Sequence, residues 1–149
     1  MNNDWHLNRP FVHDALMEQY KKERYPKVKA AILTTLGELK AVQYSSQLKQ
    51  ISTESDHQMA IRAQVSLSIM NGESMNMEER RESSLKLCQF ISSTTSAMSE
   101  ERKLTAVGLR NLKVEDESEV FGTLMKLLQD ENGDVRLEAG KTLTVLKFE

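Results

Sequence analysis

The sequence predicts an all-α protein, an α-α superhelix in which four antiparallel helix pairs, eight helices in total, stack into a solenoid. Three observations support this fold class. The 149 residues include only 6 glycines and 2 prolines, while Leu, Met, Lys, Glu, Gln and Ala are common, which favours helix. One amphipathic pattern occurs four times along the chain. Each copy follows a segment long enough to form another helix.

The repeated pattern starts with an aliphatic residue and places further apolar or small residues four, eight and eleven positions later. These offsets trace one face of a helix, so we expect that face to be buried. The starting residues are Val28, Ile61, Leu104 and Val135. They are separated by 33, 43 and 31 residues, a period typical of stacked helical repeats. On this face we expect Ile32, Leu36, Ala139 and Leu143 to lie at interfaces between repeats.

The intervals between the motif helices leave room for a first helix in every repeat. The segments 11–23, 44–51, 77–93 and 118–130 each carry apolar residues at helical spacing. The chain is therefore predicted to be a single domain, 1–149, with repeats at approximately 11–40, 44–71, 77–113 and 117–147. No segment has the composition of a domain linker.

Local signals predict where several helices begin and end. Pro26 precedes the first motif helix, where its missing N–H matters little, and Ser99 is a candidate cap for the third. The residues "NGD" at 132–134 predict a turn and cap before the fourth. Gly72 is a candidate left-handed stop for the second.

The motif helices resemble the second helix of HEAT repeats, most closely the short bacterial kind also found in phycobilin-lyase-like proteins. "VKAAILTTLGEL" and "DVRLEAGKTL" match best, "IRAQVSLSI" matches fairly, and "LTAVGLRNL" departs at Thr105 and Gly108. The resemblance covers about residues 11–147. It implies that the motif helices line the concave side of the solenoid, but it is unspecific for function.

The same resemblance implies a structural role for the charged residues of the motif. In HEAT repeats an acidic and a basic residue usually bond between adjacent repeats. We therefore expect Asp134, Arg136 and Arg62 to be structural, because buried charges need partners.

Residues that could carry chemistry are few, and we expect neither an enzyme nor a bound cofactor. His6, His13 and His57 are too scattered to form a metal site. Cys88, the one cysteine, lies among apolar residues and is predicted to be a core residue rather than a nucleophile. Trp5, before the first repeat, is predicted to cover the exposed end of the stack, with partner contact as the alternative.

Charge and hydropathy restrict the predicted location and partners. The formal charge is −2, so no general attraction to nucleic acid is expected. No apolar run approaches the roughly 18 residues needed to cross a bilayer, and the start lacks the pattern of a signal peptide. We expect a cytoplasmic protein without membrane insertion, and the oligomeric state is left open.

Positions two, six and nine of the motif point away from the predicted core and define a candidate concave binding face. A solvated face would normally carry more charge than this one. The candidate partner-binding residues are Ala63, Leu67, Met70, Arg110, Lys113, Leu137 and Lys141. The apolar residues beside cations predict an amphipathic, acidic peptide or protein partner. Alternatively, small residues such as Ala30 and Ala63 merely allow neighbouring helices to pack.

The function that these features predict is a non-catalytic scaffold or adaptor that binds a protein or peptide partner. Three other functions remain open. A HEAT-like DNA-repair glycosylase would need a basic, aromatic groove. A chromophore lyase is indicated only by the repeat subtype, and a regulatory domain of a larger protein fits the same sequence.

Overall fold

The computed structural model describes residues 9–54, 56–93 and 98–148, which form eight α-helices and no β-strand. The first four are α1 (Arg9–Lys22), α2 (Pro26–Glu38), α3 (Ser45–Glu54) and α4 (His57–Asn71). The others are α5 (Met77–Ser93), α6 (Ser99–Leu112), α7 (Ser118–Leu127) and α8 (Gly133–Val145). The predicted all-α class is confirmed. Trp5 and His6 lie outside the described residues.

The helices pack in the order of the chain. Each first helix packs on the second helix of its own pair, and α2, α4, α6 and α8 contact one another in series. Among the first helices, α5 packs on α7, but α3 and α5 do not pack closely on each other. This serial arrangement of the described residues is compatible with a helical solenoid.

Two apolar clusters form the core, and α4 belongs to both. The cluster formed by the N-terminal pairs includes Leu33, Leu36 and Leu67. The cluster formed by the C-terminal pairs includes Ile61, Val65 and residues of α5 to α8. All residues from 61 to 68 are buried, because α4 contacts α2, α3, α5 and α6. The second pair is therefore the centre of the packing.

The predicted buried face of the motif helices is mostly confirmed, with two exceptions in the first repeat. Ile32, Leu36 and Ala139 are buried, and Leu143 is partly buried against the C-terminal cluster. Val28 and Leu39 are exposed, which corrects the prediction. Val28 is in the first turn of α2 and Leu39 follows its last residue, so both lie at the margin of the helix.

The helix ends agree with two of the predicted signals and contradict two others. Pro26 starts α2, and Asn132 caps α8 by accepting the backbone N–H groups of Asp134 and Val135 at 2.9 and 3.2 Å. Ser99 is the first residue of α6 and makes no cap. Gly72 has an ordinary right-handed φ of −52° because the chain continues from α4 into a 3₁₀ turn.

Two lysines have a left-handed backbone conformation, with a positive φ. Among the described residues, Lys40 after α2 and Lys113 after α6 have a φ of 53°. A side chain in this region costs about 1–2 kcal/mol, a strain that glycine avoids.

We expect Lys40→Gly to raise the free energy of unfolding by about 0.5–1 kcal/mol, because the relief of strain exceeds the added chain entropy. Urea denaturation measures the change. Lys40→Ala is the matched control, since it removes the same side chain but keeps the Cβ and should give no comparable gain. Equal gains for glycine and alanine would show that the lysine side chain, not the backbone, causes the effect.

Candidate functional site

Three of the seven predicted partner-binding residues are inside the protein. Ala63, Leu67 and Met70 are buried, so the prediction that this face of α4 is a surface is wrong. The physical reason is that α2 and α6 pack against α4 and cover it. Small residues permit this close approach: a Cβ added to Gly37 of α2 would lie 2.6 Å from the Ser66 hydroxyl. In this part of the molecule, the alternative interpretation of the small residues is the correct one.

Polar side chains of α4 link the second helices to one another. The Arg62 guanidinium donates Nη1–H to Thr34 Oγ1 of α2 at 2.8 Å and Nε–H to Glu101 Oε1 of α6 at 3.3 Å. The Ser66 hydroxyl donates to the Leu33 carbonyl oxygen at 2.6 Å. Arg62 therefore bonds to the neighbouring helix pairs on both sides, as expected for a structural residue.

The other two charged motif residues behave differently from the expectation. Arg136 donates to the Asp130 carbonyl oxygen at 2.7 Å, a contact within its own repeat. Asp134 is exposed, and no ion pair to it is formed by the described residues. The third and fourth helix pairs are instead linked by Arg102 of α6, which donates to both carboxylate oxygens of Asp130 at 2.7 and 3.1 Å.

Three predicted residues, Arg110, Leu137 and Lys141, meet in one shallow groove of about 690 Å³ between α6 and α8. We call it the C-terminal groove, and it is lined by Arg110, Arg136, Leu137, Gly140, Lys141, Thr144 and Val145. Leu137 is 56% exposed and Val145 is 48% exposed. Two large aliphatic side chains thus lie in solvent, where they gain nothing from burial in the free protein.

A second depression of about 300 Å³ adjoins the groove and shares Arg110 and Val145 with it. It contains Lys113, the seventh predicted residue, together with Lys40 and the edge of Met70. Both lysines are exposed, and no described carboxylate pairs with either of them. The exposed carboxylate of Glu73 lines the same depression, so two lysines and one acidic residue lie beside the apolar groove.

Glu138 modifies the charge of the groove in a way that the sequence prediction did not include. Its carboxylate accepts from Arg110 Nη2 at 2.9 Å and from Lys141 Nζ at 3.3 Å. Burial alone would raise the pKa of Glu138, but the hydrogen bonds from Arg110 and Lys141 outweigh it and lower the pKa from the ordinary value of a glutamate. Glu138 therefore stays ionised and holds both cations at the groove wall.

We expect Glu138→Gln to destabilise the protein by roughly 0.5–1 kcal/mol at neutral pH, the usual value of a partly exposed ion pair. Because the pKa of Glu138 is lowered by folding, its contribution is complete above the unfolded-state pKa and is lost as the pH falls through the folded-state pKa. The difference between wild type and variant should therefore shrink below about pH 4.5. Thermal melts across this range measure it. The exposed Glu38→Gln is the control, and an equal pH dependence for both variants would contradict the assignment.

The cysteine and histidines that were considered for chemistry make packing and hydrogen-bond contacts within the fold. Cys88 is buried, its Sγ lies 3.9 Å from the Glu119 carbonyl oxygen, and burial raises the pKa of the thiol to about 11. Its predicted place in the core is confirmed. His13 is buried, and its Nδ1 lies 2.9 Å from Nε2 of Gln43. Nε2 of His57 lies 3.2 Å from the Phe90 carbonyl oxygen. Among the residues that the structure describes, no three His, Cys, Asp or Glu side chains are grouped to hold a metal ion.

Comparisons with protein-family models, curated proteins and solved structures give no match for this chain. In the described part of the chain, no helix combines the length and apolar character needed to cross a membrane. The features of this protein that bear on function are therefore the exposed aliphatic side chains and the charged residues of the C-terminal groove.

Proposed function

We propose that this protein is a non-catalytic interaction module, a cytoplasmic HEAT-like solenoid that binds an acidic amphipathic segment of a partner protein in the C-terminal groove. The fourfold motif at repeat-sized spacing supports the HEAT-like assignment. The serial contacts of the second helices are compatible with it. The groove supplies the binding surface.

The observation that carries the proposal is the exposure of Leu137 and Val145 in a concave surface bordered by cations. Aliphatic residues on the partner would bury both side chains, with a gain of about 25 cal/mol per Å² of apolar area. Carboxylates of the partner would meet Lys113 and Lys40, which have no described ion pair, at the adjoining depression, where the two lysines outnumber the one acidic residue, Glu73. Such charge complementarity orients the partner and speeds association.

Nucleic acid fits this surface less well than an acidic peptide. None of the side chains that line the groove is aromatic, so bases would have no stacking platform. Glu138 also places a carboxylate between Arg110 and Lys141, where a phosphate would otherwise bind. Protein partners tolerate this mixed charge because their own Lys or Arg residues can pair with it.

We expect Leu137→Glu to weaken binding to the captured partner at least tenfold, about 1.4 kcal/mol, while the melting temperature stays nearly unchanged. The new carboxylate would repel an acidic partner and remove the central apolar contact. Partners are captured from a cell extract with the immobilised wild-type protein, identified by mass spectrometry and then titrated as purified proteins.

Val12→Glu is the matched control, because Val12 is 41% exposed on α1, the helix that begins the stack. It introduces the same charge at an exposed aliphatic position and should leave binding intact. Loss of binding with Val12→Glu but not with Leu137→Glu would place the partner on α1 and exclude the C-terminal groove.

A further inference from the structure

The first helix pair exposes apolar side chains on the side that points away from the rest of the stack. These are Val28 and Leu39 of α2, which are 43% and 44% exposed. Gly37 of the same helix faces α4, since a Cβ added there would lie 2.6 Å from the Ser66 hydroxyl. Val28 is nine positions before Gly37 and Leu39 is two positions after it. At about 100° per residue, both therefore lie on the side of α2 opposite to α4. We call Val28 and Leu39 the first end face.

The last helix pair has a similar apolar surface on α7. Thr123 of this helix is hydrogen-bonded to the Cys88 thiol of α5, in the preceding pair. Phe121 and Met125 are two positions before and after Thr123, so they lie on the opposite side of α7, where they are 42% and 41% exposed. Phe148 packs on Phe121 with the ring centroids 5.1 Å apart. We call Phe121, Met125 and Phe148 the last end face, and none of them lines the C-terminal groove.

These two end faces resemble interfaces between repeats more than finished ends of a stack. Within the chain, α2, α4, α6 and α8 contact one another in series, so each inner helix pair is covered on both sides. A terminal repeat normally needs a polar outer face, because an apolar one favours association. No described helix pair lies beyond either end face. Both faces are therefore available to a partner outside the described part of the chain.

The two ends carry opposite net charge. Residues 9–40, the first pair, include seven basic and four acidic residues, whereas residues 114–148, the last pair, include four basic and eight acidic residues. Near the start of α2, Arg24 and Lys27 are exposed and form no ion pair with the described residues. The neighbouring Glu23 carboxylate accepts the backbone N–H of Arg24 at 3.2 Å. The first end face is thus bordered mainly by cations.

Acidic residues border the last end face. A depression of about 320 Å³ is lined by Phe121, Phe148, Ser118, Glu115, Asp116 and Glu117. Arg81 of α5 pairs with Asp116 and lies 3.9 Å from Glu117. Three carboxylates therefore share one guanidinium, and an excess of negative charge remains beside the two aromatic rings.

We propose that this protein associates head to tail with further copies of itself, the first end face of one copy packing against the last end face of the next. In this arrangement α1 and α2 of the second copy follow α7 and α8 and continue the serial packing found within one chain. The apolar side chains bury one another, and the opposite net charges orient the two copies. Contact between two like ends would instead bring like charges together.

The two surfaces differ, so the contact is heterologous and repeats from copy to copy rather than closing at a dimer. Sedimentation velocity of the full chain at increasing concentration measures it. We expect the average mass to rise beyond that of a dimer. Raising the salt concentration from about 0.1 M to about 1 M shortens the Debye length from about 10 Å to about 3 Å and should weaken association about tenfold. A monomer at every concentration, as expected if residues 1–8 cover the first end face, would overturn the proposal, and so would association that salt does not weaken.

Two charge variants test the head-to-tail geometry. Val28→Glu alters the first end face and Met125→Lys alters the last, and each protein alone should be monomeric. Mixed in equal amounts, they should form a dimer, because the Val28→Glu protein keeps its last end face and the Met125→Lys protein keeps its first. A dimer formed by either variant alone would indicate contact between like ends and overturn the proposal.

Met77→Lys is the matched control for Met125→Lys. Met77 is 44% exposed at the start of α5, in the third helix pair, so this variant should associate like the wild type. All three altered side chains are exposed, and circular dichroism should show an unchanged fold for each variant. Equal loss of association with Met77→Lys would show that added positive charge alone prevents association, and would exclude the last end face as the interface.

Discussion

Replacing Arg62 with methionine is expected to lower the free energy of unfolding by about 3–5 kcal/mol, the cost of breaking a buried ion pair. Glu101 is only 2% exposed, and its Oε2 atom already lacks a hydrogen-bond partner. Without the Arg62 guanidinium, Oε1 of Glu101 would lose its hydrogen bond as well, and the Glu101 carboxylate would be an isolated buried charge. Thr34 would also lose the bond that links α2 to α4. Urea denaturation followed by circular dichroism measures the change.

Two controls separate the buried charge from other effects. The double variant Arg62→Met, Glu101→Leu should recover most of the lost stability, because no unpaired charge remains in the core. Arg81→Met breaks the pair between Arg81 and Asp116, which join at 2.5 Å but are largely exposed. It should cost less than about 1 kcal/mol. If Arg62→Met costs no more than Arg81→Met, the Arg62–Glu101 pair is not a major source of stability.

The sequence was sufficient to predict all eight helices because their apolar spacing is local information. The motif helices were placed by residues four, eight and eleven positions apart, and the structure has α2, α4, α6 and α8 there. The turn and cap at 132–134 were equally local, since Asn132 bonds to residues two and three positions later. Such features depend on the neighbouring chain alone.

The binding face was predicted less well because periodicity does not tell how many neighbours a helix has. The offsets correctly placed Ile61 and Val65 in the core but left Ala63 and Leu67 as surface, although α4 is covered on several sides. One signal was present in the sequence: α4 has a single charged residue, Arg62, which is typical of a helix buried all round. In contrast, α8 carries Asp134, Arg136, Glu138 and Lys141, and its Leu137 is indeed exposed.

The contacts that hold the C-terminal groove and the core together are long-range, and no local pattern predicts them. Arg110 meets Glu138 across 28 positions, and Arg62 meets Glu101 across 39. Spatial proximity of this kind becomes visible only in the folded chain.

The second large effect concerns Leu36, for which Leu36→Ala is expected to cost about 2–5 kcal/mol. Leu36 is fully buried in the N-terminal cluster. The structure around a buried leucine generally relaxes only partly after truncation to alanine, so a cavity remains. Leu143 occupies the corresponding position in α8, but it is only partly buried and lies in the last pair. Leu143→Ala should therefore cost less than Leu36→Ala. Denaturation curves of the two variants give the difference.

Leu137→Ala is the reference for a leucine that contributes little to folding, since Leu137 is exposed in the C-terminal groove. Its expected cost is within about 0.5 kcal/mol, as for other surface substitutions. If the loss of stability on substitution by alanine decreases in the order Leu36, Leu143, Leu137, stability follows the burial of each leucine rather than its presence in the motif. A cost for Leu137→Ala close to that of Leu36→Ala would mean that Leu137 is covered in solution, and the C-terminal groove would then not be a free binding surface.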